Sequence, residues 1–216
     1  MTEQVSGGNA LYLSIIQGRM VQKVEEGTDG AKPRKFERPD GSTGEKWEIT
    51  HKNLKGFLTG IEFEDVNFGD GKSVQYLKLT FSSGDAKAVI STPSDSRYAI
   101  DFMKKLPAID LSNVVIVNTY DFEDETGKRR TAFDIKQGDS RVYSAFWDND
   151  KKKAIGGIPT VSKAESAKYD KDDWKIHFMK EKKFLIENTK KIAVNLTPVN
   201  YEAVDASGED ELDVPF

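Results

Sequence analysis

The chain has no cysteine, and only two of its 216 residues are histidine. The lack of cysteine excludes disulfides, thiol catalysis and cysteine-based zinc sites, and it suits a reducing compartment. His51 and His177 lie far apart in the sequence and predict neither a metal site nor a Ser/His/Asp arrangement. We therefore expect no metal and no other cofactor.

Long apolar segments are also missing. No run approaches the ~20 apolar residues that cross a membrane, and charged residues make up 31% of the chain. Residues 1–10 have neither the basic region nor the apolar stretch of a secretory signal. The sequence therefore predicts a soluble, cytoplasmic protein without a membrane partner.

Enzyme motifs are weak. Gly71, Lys72 and Ser73 match the end of a phosphate-binding loop, but Val66 stands where that loop needs glycine, and a hairpin turn explains the segment better. Acidic clusters at residues 62–65 and 121–125 precede turns, where acids are ordinary. A magnesium nuclease would also need ligands from separate elements. We therefore predict a protein that is not an enzyme.

The negative charge is concentrated near the end of the sequence. The whole chain has 32 basic and 36 acidic residues, a formal net charge of −4. Residues 202–216 hold six of the acids and no base, which leaves 30 acids against 32 bases in residues 1–201. A segment this polar cannot bury enough apolar surface to offset its chain entropy, so we expect a disordered acidic tail over residues 202–216.

Alternating apolar residues predict a series of β-strands. In residues 11–24 Leu11, Leu13 and Ile15 alternate, and Gly18 could bend the strand. Asp70-Gly71 predicts a hairpin turn, whereas the glycines and prolines of residues 25–44 predict a loop. The remaining predicted strands cover residues 46–50, 57–63, 74–81, 86–90, 113–122, 129–136 and 140–147.

One helix interrupts these strands. Ser94 and Asp95 are typical helix caps, and Pro107 is expected to end the helix after Leu106. This order predicts a mainly β fold, specifically an OB-fold-like five-stranded Greek-key barrel with extra hairpins and the helix between strands 3 and 4. Other barrels and sandwiches can also hold a single helix, so the order alone does not decide among them.

The composition changes after Asp148, and a long polar segment begins at Lys151. A helix is predicted over about residues 171–188, followed by β-like residues 192–199. We therefore divide the chain into an OB-fold domain (residues 1–150), an appended segment with a helix (151–201) and the acidic tail (202–216). A homodimer formed through edge strands or through the appended segment is left open.

A surface that binds unpaired nucleic acid needs cations for the phosphates and flat rings for the bases. In residues 140–147, Arg141, Tyr143 and Trp147 alternate with the apolar Val142 and Phe146, which predicts a cationic, aromatic outer side and an apolar inner side. Tyr and Trp can also be core residues, and charged loops can simply be solvated. The candidate DNA-binding residues are Arg34, Lys35, Phe36, Arg38, Trp47, Tyr76, Lys78, Arg129, Arg130, Arg141, Tyr143 and Trp147. The first four lie in a basic loop, residues 32–38, at the place where OB-folds often clamp nucleic acid.

The tail ends in a pattern suited to a partner's pocket. A terminal Phe216 offers a ring and a carboxylate on one residue, Pro215 stiffens the approach, and the acids add attraction to a basic surface. Residues 209–216 resemble the end of bacterial single-stranded DNA-binding proteins, typically Asp-Asp-Asp-Ile-Pro-Phe, with valine for isoleucine and Leu212 among the acids. The body of the chain does not share that family's sequence. The partner-binding residues implied by the resemblance are Asp210, Glu211, Asp213, Val214, Pro215 and Phe216.

The acidic tail and the order of the predicted strands together predict a non-catalytic protein. We expect it to bind single-stranded DNA, largely independently of sequence, in DNA replication, recombination and repair. The resemblance implies a bacteriophage-encoded protein in the host cytoplasm, whose tail recruits a polymerase, helicase or nuclease. The alternative is a structural or adaptor β-barrel protein, for example a virion component, in which the acidic tail only improves solubility.

Overall fold

The computed structural model describes residues 10–38, 41–68 and 71–196. The fold is mainly β, with 48% strand and 21% helix, which confirms the predicted class. Ten strands form one mixed sheet, and two short strands form a separate pair. The strands are β1 (Ala10–Ile16), β2 (Arg19–Val24), β3 (Lys32–Glu37), β4 (Thr43–His51), β5 (Leu54–Phe68), β6 (Lys72–Ser83), β7 (Ala86–Pro93), β8 (Val115–Glu123), β9 (Arg129–Gln137), β10 (Ser140–Arg141), β11 (Trp147–Asp148) and β12 (Lys153–Ala154).

The sheet is built from two blocks of neighbouring strands. Its order is β10-β9-β8-β5-β6-β7-β1-β2-β4-β3, so β5 to β10 form one block and β1 to β4 the other. Within each block the strands pair antiparallel. The blocks meet where β1 runs parallel to β7, with Leu13 opposite Ile90. In the described residues no ladder joins the outermost strands β10 and β3 to each other.

The two blocks also touch through the β1–β2 turn. The Thr119 hydroxyl on β8 donates a hydrogen bond to the Gly18 carbonyl, with 3.0 Å between the oxygens. Gly18 has φ +78°, a left-handed conformation that favours glycine. A Cβ there would also collide with the backbone nitrogen of Asp121. The predicted bend at Gly18 is therefore a tight turn between two strands, and it brings β8 against the other block.

The described helices are α1 (Arg97–Lys105), the short α2 (Lys163–Ser166) and α3 (Lys171–Ala193), and a 3-10 turn (Leu106–Ala108) follows α1. Helix α1 packs on the β9 strand, and the long C-terminal helix α3 packs on α1 and β5. Ser96 caps α1 by accepting a hydrogen bond from the Ala99 N–H. Asp101 accepts the Phe133 N–H, and Lys105 donates to the Phe133 carbonyl, so α1 binds the backbone of β9. Burial raises the pKa of Asp101, and the hydrogen bond from Lys105 opposes that rise.

The core lies between one face of the sheet and the helices. Leu77 and Leu79 of β6 are fully buried with Phe133 of β9. The Phe102 ring of α1 meets Phe133 edge-on, with 5.6 Å between centroids. On α3, Leu185 is fully buried in the same core cluster. We call the opposite face of the sheet the outer face.

Four predictions about local structure are wrong. The N-cap of α1 is Ser96 rather than Ser94 or Asp95, because a turn closed by the Ser96 N–H and the Pro93 carbonyl comes before the helix. The predicted loop over residues 25–44 contains β3, which forms by pairing with β4. Pro33 is tolerated because β3 is an edge strand, where its missing N–H needs no partner. Residues 140–147 do not form one strand, because the Ala145 N–H bonds the Lys104 carbonyl and turns the chain towards α1. Ile192 of the predicted β-like segment belongs to α3.

Some predictions lie outside the described residues. They are the tail over residues 202–216, the end of the β-like segment, and Asp70 of the predicted hairpin turn. The described part of the chain contains no helix that is long and apolar enough to cross a membrane.

Candidate nucleic-acid interface

The register of the ladders sorts the candidate residues by face. Residues paired across neighbouring strands share a face. On β3 and β4 these pairs include Arg34–Lys46 and Phe36–Gly44, and the same face can be followed from strand to strand across the sheet. The outer face holds six of the candidates: Arg34, Phe36, Tyr76, Lys78, Arg130 and Arg141. Lys35, Trp47 and Arg129 lie on the opposite face, and Arg38 lies just beyond β3.

An exposed pair of rings lies on the outer face of β8. Tyr120 is 37% and Phe122 is 53% exposed, and their ring centroids are 5.6 Å apart. Phe122 stands directly opposite Arg130 on β9. Neither ring is a predicted site residue. Their signal in the sequence is an aromatic at every second position, out of phase with the buried Val115 and Val117.

Two candidate residues join this pair. Arg141 on β10 is paired with Asp134 on the outer face of β9, next along that face to Ala132, which stands opposite Tyr120. Tyr143 follows Arg141 two positions later in the chain. Tyr143 is 61% exposed. We define the outer-face patch as Tyr120, Phe122, Arg130, Arg141 and Tyr143. The patch combines three exposed rings with two guanidinium groups, the combination that binds unpaired bases and their phosphates.

The alternation predicted for residues 140–147 is confirmed in its burial, although not as a strand. Val142 and Phe146 are buried in the core cluster, and the Phe146 ring meets Phe184 of α3 edge-on at 5.4 Å. Tyr143 and Trp147 are exposed, Trp147 at 46%. The buried residues therefore anchor the segment and leave its rings in solvent.

Each arginine of the patch already holds a carboxylate. Arg130 Nε lies 2.7 Å from Asp124, and Arg141 Nε lies 2.6 Å from Asp134. The Asp134 hydrogen bond raises the Arg141 pKa. The Thr126 hydroxyl, followed by Arg130, holds the Asp124 pKa well below its usual range. Both arginine side chains are at least half exposed, so their remaining N–H groups face solvent.

A second basic region lies at the β3 edge of the sheet. Arg34 donates to both oxygens of the buried Glu48 at 2.7–2.9 Å, and the same hydrogen bonds raise the Arg34 pKa. The Phe36 ring covers Gly44, where a Cβ would collide with it. Lys46 Nζ lies 4.7 Å from the Phe36 centroid, a cation–π contact. This region places a ring among cations, but it is at the far end of the strand order from the patch.

The remaining candidates are scattered. Lys78 pairs with Glu64 beside Tyr76 in the middle of the outer face. Arg129 binds Asp121 on the opposite face, where that hydrogen bond lowers the Asp121 pKa. Trp47 faces Pro33 and Val24 and is partly covered. The structure thus gathers Arg130, Arg141 and Tyr143 with two unpredicted rings, and it leaves the other candidates in separate places.

The proposed partner-binding residues 210, 211 and 213–216 lie outside the described residues. No group of three or more metal-ligating side chains occurs in the described ranges. Comparison with known proteins gives no match to any family model, curated protein or solved structure.

Proposed function

We propose that the chain is a non-catalytic protein that binds single-stranded DNA with little sequence preference. The observation that carries the proposal is the outer-face patch, in which exposed Tyr120 and Phe122 share a face with Arg130 and Arg141, and exposed Tyr143 follows Arg141 in the chain. Stacking on such rings tolerates any base, because every base has a π-face, and the arginines supply positive charge for phosphates. Binding by this surface requires no catalytic group.

The order of strands and helix supports this proposal, and we propose that β5 to β9 form the OB-fold-like unit. Counted from β5, the strands β5, β6 and β7 precede α1, and β8 and β9 follow it. Counted in this way, the helix lies between the third and fourth strands of the proposed five-stranded unit, and residues 32–38 lie outside that unit. Strands β1 to β4 are the extra hairpins of this proposal, and the Thr119–Gly18 hydrogen bond draws them towards β8.

The biological setting is proposed from the sequence. Residues 209–216 resemble the end of bacterial single-stranded DNA-binding proteins, which favours a role in phage replication, recombination or repair in the host cytoplasm. The tail would then recruit a polymerase, helicase or nuclease. The proposal is compatible with a homodimer and does not require one.

Binding to oligo(dT) and its salt dependence test the function. We expect affinity to fall steeply with salt, with a slope of log affinity against log salt of roughly −0.7 for each phosphate neutralised. Arg130→Gln with Arg141→Gln should weaken binding and make the slope shallower by about one to two phosphates. Fluorescence anisotropy of a labelled oligo(dT) at several salt concentrations measures both quantities.

Arg129→Gln is the matched control. It removes one of the two charges that the test variant removes, from the position next to Arg130, and its ion pair with Asp121 lies on the opposite face. This variant should keep the wild-type affinity and slope, provided that a thermal melt shows it to be folded. Wild-type protein that does not bind oligo(dT) even in low salt would contradict the proposed function.

A second candidate function is a structural or adaptor protein. The observation that favours it is an uncovered apolar side of α3, where Phe178 is 57% and Met179 is 61% exposed. Exposed apolar side chains in a group are typical of protein interaction sites. Failure to bind oligo(dT), together with capture of a defined protein partner, would favour this function over the first.

A further inference from the structure

A long groove lies between α1, the first half of α3 and the β9 strand. Its volume is about 1210 Å³. Ile100, Trp174, Phe178 and Met179 form an apolar wall in which Trp174 stacks on Phe178, with 5.6 Å between centroids. None of the groove residues belongs to the outer-face patch. The groove is therefore a separate surface of the molecule.

The two halves of α3 have different surroundings. In the second half Leu185 is fully buried, and Phe184 packs on Phe146. In the first half the large apolar side chains Phe178 and Met179 are more than half exposed. The packed half holds the helix in place, so the uncovered half presents a preformed apolar surface.

The rim of the groove has an excess of positive charge. Lys104 is paired with Glu181 at 2.7 Å, and Asp101 is engaged by Lys105. The other charged side chains of the lining are four basic residues, Arg97, Lys171, Lys175 and Lys182, and two acids, Asp95 and Asp172. An occupant that combines acidic and apolar side chains fits this rim and this wall.

Residues 197–216 of the same chain have that composition. They include six acids and no base, and the final residues are Val214, Pro215 and Phe216. Phe178 and Ala193 of α3 are 15 positions apart, or about 22 Å along the helix. Residues 197–216 can span up to about 66 Å when extended, so Phe216 can reach the groove from the far end of α3.

We propose that the α1–α3 groove is the docking site of the chain's own residues 202–216. The Phe216 ring occupies the apolar wall formed by Trp174, Phe178 and Met179, and the acids at 209–213 lie near Lys171, Lys175 and Lys182. A docked segment is not accessible to another protein, so a partner that binds the same residues must first displace it. This inference does not depend on DNA binding.

The absence of cysteine from the chain makes a direct test possible. Met179→Cys with Val214→Cys introduces the only two thiols, and a disulfide forms only when the two residues approach closely. We expect the full-length variant to form an intramolecular disulfide under mild oxidation, seen as faster migration in a non-reducing gel. Ile176→Cys with Val214→Cys is the matched control, because Ile176 is half exposed on α3 and does not line the groove.

If the tail docks, the variant with Met179→Cys and Val214→Cys should form its disulfide about tenfold faster than the control with Ile176→Cys and Val214→Cys. Adding Phe216→Ala should remove most of that difference, because burial of a phenylalanine ring corresponds to about a tenfold change in occupancy or more. Equal rates for the two pairs, or no effect of Phe216→Ala, would overturn the proposal. Disulfide-linked dimers as the main product would place a second copy in the groove and would also overturn it. Oligo(dT) binding is measured separately, so the two proposals can fail independently.

Discussion

Replacing Tyr120 and Phe122 together with alanine should weaken oligo(dT) binding by about 30-fold or more. Each base stacked on an aromatic ring contributes roughly 1–3 kcal/mol, so two rings contribute roughly 2–6 kcal/mol. The two rings lie 5.6 Å apart on the outer face of β8, beside Arg130. Because both are exposed, their removal should leave the core unchanged. Anisotropy titrations at one fixed salt concentration measure the loss.

The matched control exchanges the two rings. Tyr120→Phe with Phe122→Tyr keeps two aromatic faces at the same positions and should bind within about twofold of the wild type, since stacking depends on the ring rather than on its hydroxyl. If the double alanine variant is folded and binds oligo(dT) as tightly as the wild type, the outer-face patch is not the DNA-binding surface.

Phe133→Ala should have the opposite effect, a large loss of stability with little direct effect on binding. Phe133 is fully buried on the core side of the same hairpin, where its ring meets Tyr98 at 6.1 Å and Phe102 at 5.6 Å. Removing a buried phenylalanine ring typically lowers the free energy of unfolding by about 3–5 kcal/mol, through lost burial and the remaining cavity. Urea denaturation followed by circular dichroism measures this change.

Phe122→Ala is the control for that experiment. It deletes the same side chain from the partner strand but from the exposed side, so the free energy of unfolding should change by only about 0.5 kcal/mol. A similar loss of stability in both variants would mean that the outer face of β8 is covered by protein rather than by solvent. Comparison of the two variants in both assays separates binding from folding.

The sequence predicts local features of this fold well where burial alternates. The antiparallel strands β6 and β7 and the position of α1 follow from residues next to one another in the chain, although the N-cap is Ser96 rather than Ser94 or Asp95. The buried Val142 and Phe146 and the exposed Tyr143 and Trp147 are predicted for the same reason. The mainly β class is a sum of such local signals.

Features that depend on distant residues could not be predicted in this way. Basic residues of β3 look like a loop in the sequence, because pairing with β4 rather than composition makes them a strand. Arg34 stays cationic, but its charge is paired with the carboxylate of Glu48, 14 residues away, which the sequence does not show. Tyr120 and Phe122 become a candidate site only when β9 places Arg130 opposite Phe122 on the same face.

The parallel pairing of β1 with β7 has a consequence for the order of folding. Leu13 and Ile90 are partners although 77 positions separate them in the sequence. Every other ladder of the sheet joins two strands of the same block, which are closer together in the sequence. Contacts between distant segments form slowly, because a long loop must close first. We expect each block to acquire protected amides first and the β1–β7 seam to be protected last. Pulse-labelled hydrogen exchange during refolding measures that order, and early protection of the seam would contradict it. A growing chain on the ribosome would then expose the free edge of β1 until residue 93 has emerged.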